Sequence, residues 1–435
     1  MPFGRCSGAA SPEGQPSTSP EEAGGHTLPI VVDLLRRNPD FRSLFLAQVV
    51  SFAGDWFATV AMLGLVIDRT GSDVAATAVF VVQMLPAFAP TPLAGAAADR
   101  FDRRRLMVGT SVLQAGAAGL FLAASHGPVA LAFVAQGLIS ALGAFFLPAS
   151  QAALPNLVDP DDLALATVMM SSTWGAMLAV GAALGGVFTV AFGRDASFAA
   201  DGVSFLLAAA LILAVRRPTQ QRADAGPRGR MRPLADTAET IRYARGHPVV
   251  AALLASKLGF GLAGGTVGML ALLATGPFHA GDGGTGLLLA ARGAGVVVGP
   301  FIARRLADRG PSGILLICGL AGLVFAAGYL TVGTAPTLGV AAFGVLVAHL
   351  GGGAQWTLST YGLQAATPDF IRGRVFAADF ALVTLSVSAS YLAAGALAEV
   401  TGPRIPTLVL AGVASAWGLT YLALTRRLRS ASAAV

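Results

Sequence analysis

Three acidic residues of this chain lie in stretches that are otherwise almost entirely apolar. Asp55 is flanked by uncharged residues from Ser43 to Ile67, Asp201 lies in the stretch 197–215, and Asp379 lies in the stretch 376–398. A charged carboxylate is costly away from water, and acids in such positions commonly mark proton pathways. The three acids are therefore candidate proton-coupling sites, with Asp55 as the leading candidate.

Each acid also has a structural interpretation. Asp55 could neutralise a buried cation, for which Lys257 and Arg292 are available, and Asp201 could simply lie near a membrane interface. Asp379 is interpreted mainly as the partner of the arginines that begin its segment. The two cations could equally meet an anionic group of a substrate or extend to the membrane surface, the outcome we expect more for Arg292.

Other polar and aromatic side chains of the apolar stretches could line a cavity for a small molecule. A flexible cavity of this kind combines an apolar wall with a few polar groups, although most such side chains merely contact lipid or neighbouring helices. The candidates for the cavity are Trp56, Gln136, Lys257, His349, Gln355 and Trp356.

The sequence gives no sign of an enzyme. It contains no Gly-x-x-x-x-Gly-Lys-Ser/Thr loop for nucleotide phosphates, and its two cysteines, Cys6 and Cys318, have no metal-ligating neighbours. We therefore predict no cofactor, no metal and no catalytic residues.

Composition predicts where these residues are placed. Of 435 residues 54% are hydrophobic and only 12% are charged, about half the charged share of an ordinary soluble domain. Residues 106–158 and 310–368 contain no Asp, Glu, Lys or Arg, and each run is long enough for two crossings of a bilayer about 30 Å thick. A soluble enzyme, a single-anchor protein and a disordered chain are excluded, and an all-α integral membrane protein remains.

The apolar segments indicate twelve transmembrane helices. They lie at about 43–67, 74–97, 106–125, 129–150, 164–191, 197–215, 249–275, 284–303, 312–332, 337–360, 376–398 and 405–425. Among the 29 basic residues only Arg69, Arg194 and Arg404 fall in loops on one side; apart from Lys257 and Arg292, the others fall on the opposite side. Because cytoplasmic loops are rich in Lys and Arg, both termini are predicted to be cytoplasmic in a plasma membrane. The net charge of +6 then reports topology and not a nucleic-acid partner.

The chain divides into two similar halves. Ala98-Asp99-Arg100 follows the second segment and Ala307-Asp308-Arg309 the eighth, while Gln-Ala-Ala-x-Pro occurs at 151–155 and at 364–368. This repeat predicts two pseudo-symmetric six-helix bundles, as in many secondary transporters. The predicted units are a disordered cytoplasmic tail (1–38), the first bundle (39–215), a central cytoplasmic loop (216–247), the second bundle (248–425) and a short cytoplasmic tail (426–435). Residues 234–245 could form a surface helix or belong to a solvated linker.

One loop resembles a sequence motif of a known protein family. The run Gly-Ala-Ala-Ala-Asp-Arg-Phe-Asp-Arg-Arg-Arg at 95–105 resembles the loop between helices two and three of the major facilitator superfamily. Asn-Pro-Asp-Phe-Arg at 38–42, Gly-Asp-Trp at 54–56 and Arg-Gly-Arg-Val-Phe at 372–376 resemble the branch of macrolide-efflux and enterobactin-exporter proteins. The sequence departs from the superfamily's pattern at Phe133, where an Arg is usual, and at Ala182, where a Pro is usual.

The resemblance implies roles for two sets of residues. Gating contacts at one membrane surface are expected from Gly95, Asp99, Arg100, Arg103, Arg104, Asp308, Arg309, Arg372 and Arg374. Close helix packing is expected at Gly181, Gly185, Gly186, Gly261 and Gly265, since small residues let membrane helices approach closely.

The sequence thus predicts a monomeric secondary transporter that exports an amphipathic small molecule, such as a drug, an antibiotic or a siderophore, in exchange for protons. Its partners are the substrate, protons and the lipid bilayer. An importer or uncoupled facilitator of the same fold is the alternative. A membrane enzyme, a lipid-handling protein or a receptor is more remote, because no catalytic cluster or sensory domain is found.

Overall fold

The computed structural model describes residues 27–90, 93–94, 97, 101–220, 242–307 and 310–431. These residues form the helices α1 (Thr27–Arg37), α2 (Pro39–Thr70), α3 (Asp73–Phe88), α4 (Arg103–His126), α5 (Ala130–Leu157), α6 (Leu163–Phe192), α7 (Arg194–Leu213), α8 (Pro248–Ala263), α9 (Met269–Thr275), α10 (Gly281–Ala307), α11 (Pro311–Thr334), α12 (Leu338–Ala366), α13 (Asp369–Thr401), α14 (Arg404–Leu424) and α15 (Arg426–Ala431).

The helices begin and end where local chemistry requires it. The Asn38 side chain caps α2 by accepting a hydrogen bond from the Phe41 N–H at 3.1 Å, and Pro39 takes the first helical position, where its missing N–H costs nothing. Gly71 ends α2 in the left-handed conformation with φ +59°, which glycine adopts without strain.

Eleven helical spans in the described residues are long and apolar enough to cross a membrane. The second predicted crossing is described only in part, as the shorter apolar helix α3. The seventh is broken, because α8 and α9 are joined by a 3-10 turn at Gly264–Val267 and together form the span Pro248–Thr275. The predicted all-α membrane architecture is confirmed.

Two predictions about the tail and the central loop need correction or remain open. Residues 27–37, which the sequence assigns to a disordered tail, form α1, and Leu34 within it is fully buried. Apolar burial against α2 and its neighbours therefore orders this segment. Of the possible surface helix at 234–245, only residues 242–245 are described, and they are helical.

The two halves of the chain repeat one packing pattern. In the N-terminal half α2 packs on α6 and α7, α4 on α5 and α7, and α3 on α5. In the C-terminal half α8 packs on α13 and α14, α11 on α12 and α14, and α10 on α12. Counting α8 with α9 as one crossing, each pair in the first half has its counterpart six crossings later, so the fold is pseudo-symmetric.

The halves meet along two seams, α3 against α13 and α6 against α10. We call the end of the molecule that contains Pro39, Arg103 and Pro248 the tail end, and the end that contains Thr70, Arg194 and Glu399 the far end. Glycines allow the α6–α10 seam to close, since a Cβ atom on Gly186 would lie 3.0 Å from the Gly286 Cα.

A close contact at a glycine also sets the distance between two helices inside the C-terminal half. A Cβ atom at Gly328 of α11 would lie 2.4 Å from the Ala348 backbone nitrogen and 2.5 Å from the Gly344 carbonyl oxygen of α12. These atoms belong to the backbone and cannot rotate away. The crossing of α11 and α12 therefore requires glycine at this position.

We predict that Gly328→Ala lowers the thermal unfolding temperature of the purified protein. Overpacking of this kind costs about 1–3 kcal/mol, and the two helices would have to separate. The matched control is Gly116→Ala in α4, where no atom lies within 4 Å of the added Cβ. Equal unfolding temperatures for the two variants, measured by scanning fluorimetry in detergent, would contradict this account of the crossing.

Candidate functional site

Two acids lie near each other inside the N-terminal half, on α2 and α7. Asp201 of α7 is fully buried, and within the described residues neither of its carboxylate oxygens has a hydrogen-bond partner. Its Oδ1 lies against the Gly54 backbone of α2, where a Cβ atom would be 2.9 Å away. The neighbouring Asp55 is partly exposed and acts electrostatically on Asp201. The structure thus brings two of the three candidate coupling acids together, without a cation between them in the described part.

The third acid is part of an ion pair in the C-terminal half. Lys257 of α8 donates to Asp379 Oδ2 of α13 at 2.6 Å and to the Thr360 hydroxyl of α12 at 2.9 Å. The Lys257 and Asp379 side chains are only 2% and 7% exposed. Buried charges are tolerated when they are paired and hydrogen-bonded in this way. The described partner of Asp379 is therefore Lys257. The side chains of Arg372 and Arg374, the partners that the sequence favoured, lie outside the described residues.

Aromatic rings surround this ion pair. The Lys257 ammonium lies 4.6 Å from the centre of the Trp356 ring, a cation–π distance. Trp356 is 40% exposed and also meets Phe260 edge to face at 6.0 Å. Two of the predicted cavity residues, Lys257 and Trp356, therefore lie in one cluster.

The remaining cavity candidates are engaged within their own halves. Gln355 donates to the Ser256 carbonyl oxygen at 2.6 Å, and Gln136 donates to Ser140 at 3.2 Å. His349 is buried and shares a 3.0 Å hydrogen bond with the Tyr329 hydroxyl. Trp56 is 8% exposed. Gln355, His349 and Trp56 thus contact neighbouring helices, whereas Gln136 bonds within α5. A direct contact of any of them with substrate stays a prediction.

The expected gating residues are described only in part. Arg103 donates to the carbonyl oxygen of Ala152 at 2.7 Å and to that of Thr219 at 3.2 Å, and Arg104 donates to the carbonyl oxygen of Leu213. Both arginines thus bind helix ends and the following chain in their own half. The positions outside the described residues are Gly95, Asp99, Arg100, Asp308 and Arg309, together with the side chains of Arg372 and Arg374.

The glycines predicted to pack closely lie at helix contacts. Gly181 and Gly185 of α6 lie against Trp56 and Phe57 of α2. Gly261 and Gly265 lie against α13, and the Gly265 N–H donates to the Ser390 hydroxyl at 2.9 Å. The 3-10 turn between α8 and α9 therefore packs directly on α13.

The far end carries an ionic contact between the halves that sequence reasoning missed. Arg194 donates to Asp68 Oδ2 of its own half at 2.7 Å and to the two carboxylate oxygens of Asp282, in the other half, at 3.0 and 3.3 Å. A two-point contact between guanidinium and carboxylate is stronger and more directional than a single hydrogen bond. We call Asp68, Arg194 and Asp282 the far-end latch.

The second seam has a contact of its own at the far end. Glu399 of α13 accepts hydrogen bonds from the Ser72 hydroxyl and, at 3.4 Å, from the Val74 N–H at the start of α3. Below it the Phe80 and Tyr391 rings stack across the seam with centres 5.2 Å apart. Both seams are therefore closed at the far end in this structure.

The internal repeat contains a signal for the latch. Asp73 begins α3 and Asp282 lies in the first turn of α10, the equivalent helix, while Arg194 and Arg404 both begin a helix after a turn with a positive-φ glycine. These charges occupy matching positions at one end of the repeat. A comparison of the far-end loops of the two halves, in addition to their tail-end loops, would have identified these charges from the sequence.

Comparison with known proteins agrees with this architecture. Residues 35–434 match the family described as transmembrane secretion effectors. The multidrug efflux pump Tap of Mycobacterium tuberculosis is 35% identical over 190 residues, which are 41% of this chain and 45% of Tap. The putative bacilysin exporter BacE of Bacillus subtilis is 28% identical over 187 residues, 41% of this chain and 44% of BacE. The matched stretch thus spans less than half the length of these relatives.

Solved structures share the fold at low sequence identity. A POT family transporter in complex with a thioalcohol-conjugated peptide superposes with a TM-score of 0.70 at 11% identity, over 89% of this chain and 96% of that one. An inward-facing, unoccupied bacterial homologue of the human lysosomal transporter Spinster superposes with a TM-score of 0.62 at 16% identity, over 91% and 95% of the two chains. The chain is therefore a multi-pass membrane transporter, not an enzyme, and belongs to the transmembrane secretion effector family of the major facilitator superfamily.

Proposed function

We propose that this transporter exports an amphipathic small molecule across the plasma membrane in exchange for protons. The observation that carries the proposal is the Asp55–Asp201 pair, two neighbouring acids at membrane depth without a cation between them in the described residues. Two carboxylates that share a site cannot both be charged at low cost, so the pair is suited to hold one proton. The efflux pumps among the relatives support export as the direction.

The two acids would have different tasks. Asp55 is partly exposed, whereas Asp201 is fully buried behind the Gly54 backbone. We assign the entry and exit of the proton to Asp55, which is the less buried of the two acids. Asp201 would raise the free-energy cost of ionising both acids at once. Loss of the proton would favour a conformation in which water or a cation reaches the pair, which couples protonation to alternating access.

The orientation follows from the basic residues of the loops. With both termini in the cytoplasm, as the excess of Arg and Lys on that side indicates, the far end is external. The structure is then closed to the outside. The far-end latch would stabilise the inward-facing state of the transport cycle, in which this end stays closed. The predicted bundles at 39–215 and 248–425 would move against each other as the latch breaks and reforms.

We predict that Asp282→Asn shifts the protein toward the outward-open state, because it removes the charge that joins the halves. A partly exposed ion pair contributes about 1 kcal/mol, so the ratio of outward-open to inward-facing molecules should rise about fivefold. Double electron–electron resonance measures this ratio from the distances between spin labels at positions 128 and 336 of the far end. Both native cysteines are replaced so that only these two positions carry a label.

The matched control for the latch is Asp33→Asn, which removes an exposed ion pair with Arg37 within α1. It should leave the distance distribution unchanged. If Asp282→Asn and Arg194→Gln also leave it unchanged, the far-end latch does not hold the inward-facing state.

We predict that Asp55→Asn abolishes substrate-triggered proton flux in proteoliposomes. The amide keeps the shape of the side chain but cannot bind and release a proton. Exchange of radiolabelled substrate in the absence of a proton gradient should survive, since it requires no net protonation. Asp195→Asn, whose side chain is 52% exposed at the far end, serves as the control and should behave as wild type.

The direction of flux separates the proposal from its rivals. Substrate that moves against the proton flow supports antiport, and substrate that moves with it identifies a symporter on the same fold. Unchanged proton-driven transport in Asp55→Asn, with Asp201→Asn also active, would remove the acid pair from the mechanism and direct attention to Asp379, the third candidate acid.

A further inference from the structure

Arg292 of α10 is an arginine in the middle of a membrane-spanning helix. The lipid-facing side of α10 is marked by a shallow apolar groove of about 570 Å³ whose walls include Leu287, Ala290 and Ala294. Ala291 lines the groove as well. At about 100° per residue, the four lining positions of α10 centre about 150° from Arg292 around the helix axis, so Arg292 points away from that groove. Its side chain therefore faces the interior and does not extend to the membrane surface.

The neighbours of Arg292 on the same helix confirm this direction. Gly293 lies against the Ala179 backbone of α6, and Gly295 and Gly299 lie against the backbone of α12. Arg292 thus projects between α6, which belongs to the N-terminal half, and α12 of its own half. This is the inner surface at which the two halves face each other.

The guanidinium has no counter-ion in the described part of the chain. No ion pair joins Arg292 to an acid there, and its Nε is buried without a hydrogen-bond partner. Of the acids at membrane depth, Asp379 pairs with Lys257, and no ion pair of the described residues joins Arg292 to Asp55 or Asp201. An unpaired cation at this depth raises the free energy of the protein. An anion bound beside the guanidinium lowers that free energy.

Aromatic side chains form the rest of the site. Arg292 is close enough to act electrostatically on Tyr329, His349 and Tyr391. Tyr329 and His349 bond each other at 3.0 Å, whereas the hydrogen bonds of the described residues include none from the Tyr391 hydroxyl. The Tyr391 ring stacks on Phe80 of the opposite half. The site therefore offers guanidinium and phenol donors beside a flat apolar wall.

We propose that Arg292, assisted by the Tyr391 hydroxyl, binds an anionic group of the exported molecule. The substrate class is then an aromatic or otherwise apolar body that carries one acid group, such as a carboxylate or a sulfonate. This inference rests on the proposed function, because it identifies the substrate of the same transporter. It assigns to Arg292 the role of the residue that selects acids over lipophilic cations.

The test is equilibrium binding to the purified full-length protein, which requires neither a proton gradient nor transport. The probes are 1-anilinonaphthalene-8-sulfonate and N-phenyl-1-naphthylamine, which share an aromatic body and differ in the sulfonate. Saturable binding of the sulfonate should weaken at least about tenfold in Arg292→Gln. Arg292→Lys should retain part of the affinity, and Tyr391→Phe should show a smaller loss.

The neutral probe and a second arginine are the controls. Binding of N-phenyl-1-naphthylamine should be the same in wild type and Arg292→Gln. Arg404→Gln removes an arginine that bonds the Ala335 carbonyl oxygen at 3.0 Å, and it should not alter sulfonate binding. Equal loss of both probes in Arg292→Gln would show a change of shape, and unchanged sulfonate binding would show that Arg292 is not the site; either overturns the proposal.

Inorganic chloride is an alternative anion that Arg292 could bind in place of the acid group of a substrate. Replacing chloride by gluconate in the buffer distinguishes these two ligands. If chloride raises the unfolding temperature of wild type but not of Arg292→Gln, and blocks the sulfonate at physiological concentration, Arg292 holds an inorganic ion and the proposal is wrong. Failure of proton antiport with Arg292-dependent sulfonate binding intact would contradict the proposed function alone. Proton-coupled export of lipophilic cations, with sulfonate binding independent of Arg292, would contradict this inference alone.

Discussion

The two seams between the halves are the constraint on which the rest of this structure depends. Along α6 and α10 the backbones approach through Gly186 and Gly286, and along α3 and α13 the contact is made by stacked rings and a capped helix end. Buried apolar residues of both halves belong to one continuous core. The contacts named here are nevertheless made by small and flat groups, glycine backbones on one seam and stacked rings on the other, and groups of this shape can separate and re-form in the same register.

Buried charge is distributed differently in the two halves of the molecule. Among the described residues, the N-terminal half carries an acid pair without a cation. The C-terminal half carries a compensated pair, Lys257 and Asp379, and an arginine without a described counter-ion, Arg292. Inside a membrane the compensated pair is stable as it stands. The uncompensated groups are the ones whose free energy changes when a proton or an anion arrives, so they are the groups through which ligands can act on the conformation.

Much of the fold could be predicted from the sequence, because the bilayer imposes one strong rule. Every crossing needs a long apolar helix, and the charged residues that interrupt the apolar runs mark its ends. The break in the seventh crossing was less visible, since its glycines are equally compatible with a straight, tightly packed helix. Helix α1 was missed because its burial depends on a groove formed by distant helices.

The residues of the candidate site could be predicted from the sequence, but the partner of each residue could not. Asp55, Asp201, Lys257 and Asp379 attract attention as charges in apolar segments, yet 122 residues separate Lys257 from the acid it binds. The sequence offered Asp55 as a possible partner of either Lys257 or Arg292, and the early arginines of α13 as partners of Asp379. Which buried acid meets which cation is decided by helix packing, and a single sequence does not encode that packing locally.

The proposed acid pair and the proposed anion site also fit each other energetically. An exporter that releases one anion outward while one proton moves inward transfers two positive charges inward in each cycle. At about 2.3 kcal/mol per charge per 100 mV, an inside-negative potential of that size contributes about 4.6 kcal/mol to each cycle, before any pH difference is counted. Export of a monovalent cation against one proton would move no net charge and would draw on the pH difference alone. A transporter that binds its substrate through Arg292 and its proton through Asp55 and Asp201 therefore draws on the membrane potential twice, and it can concentrate an acid outside the cell with a single proton.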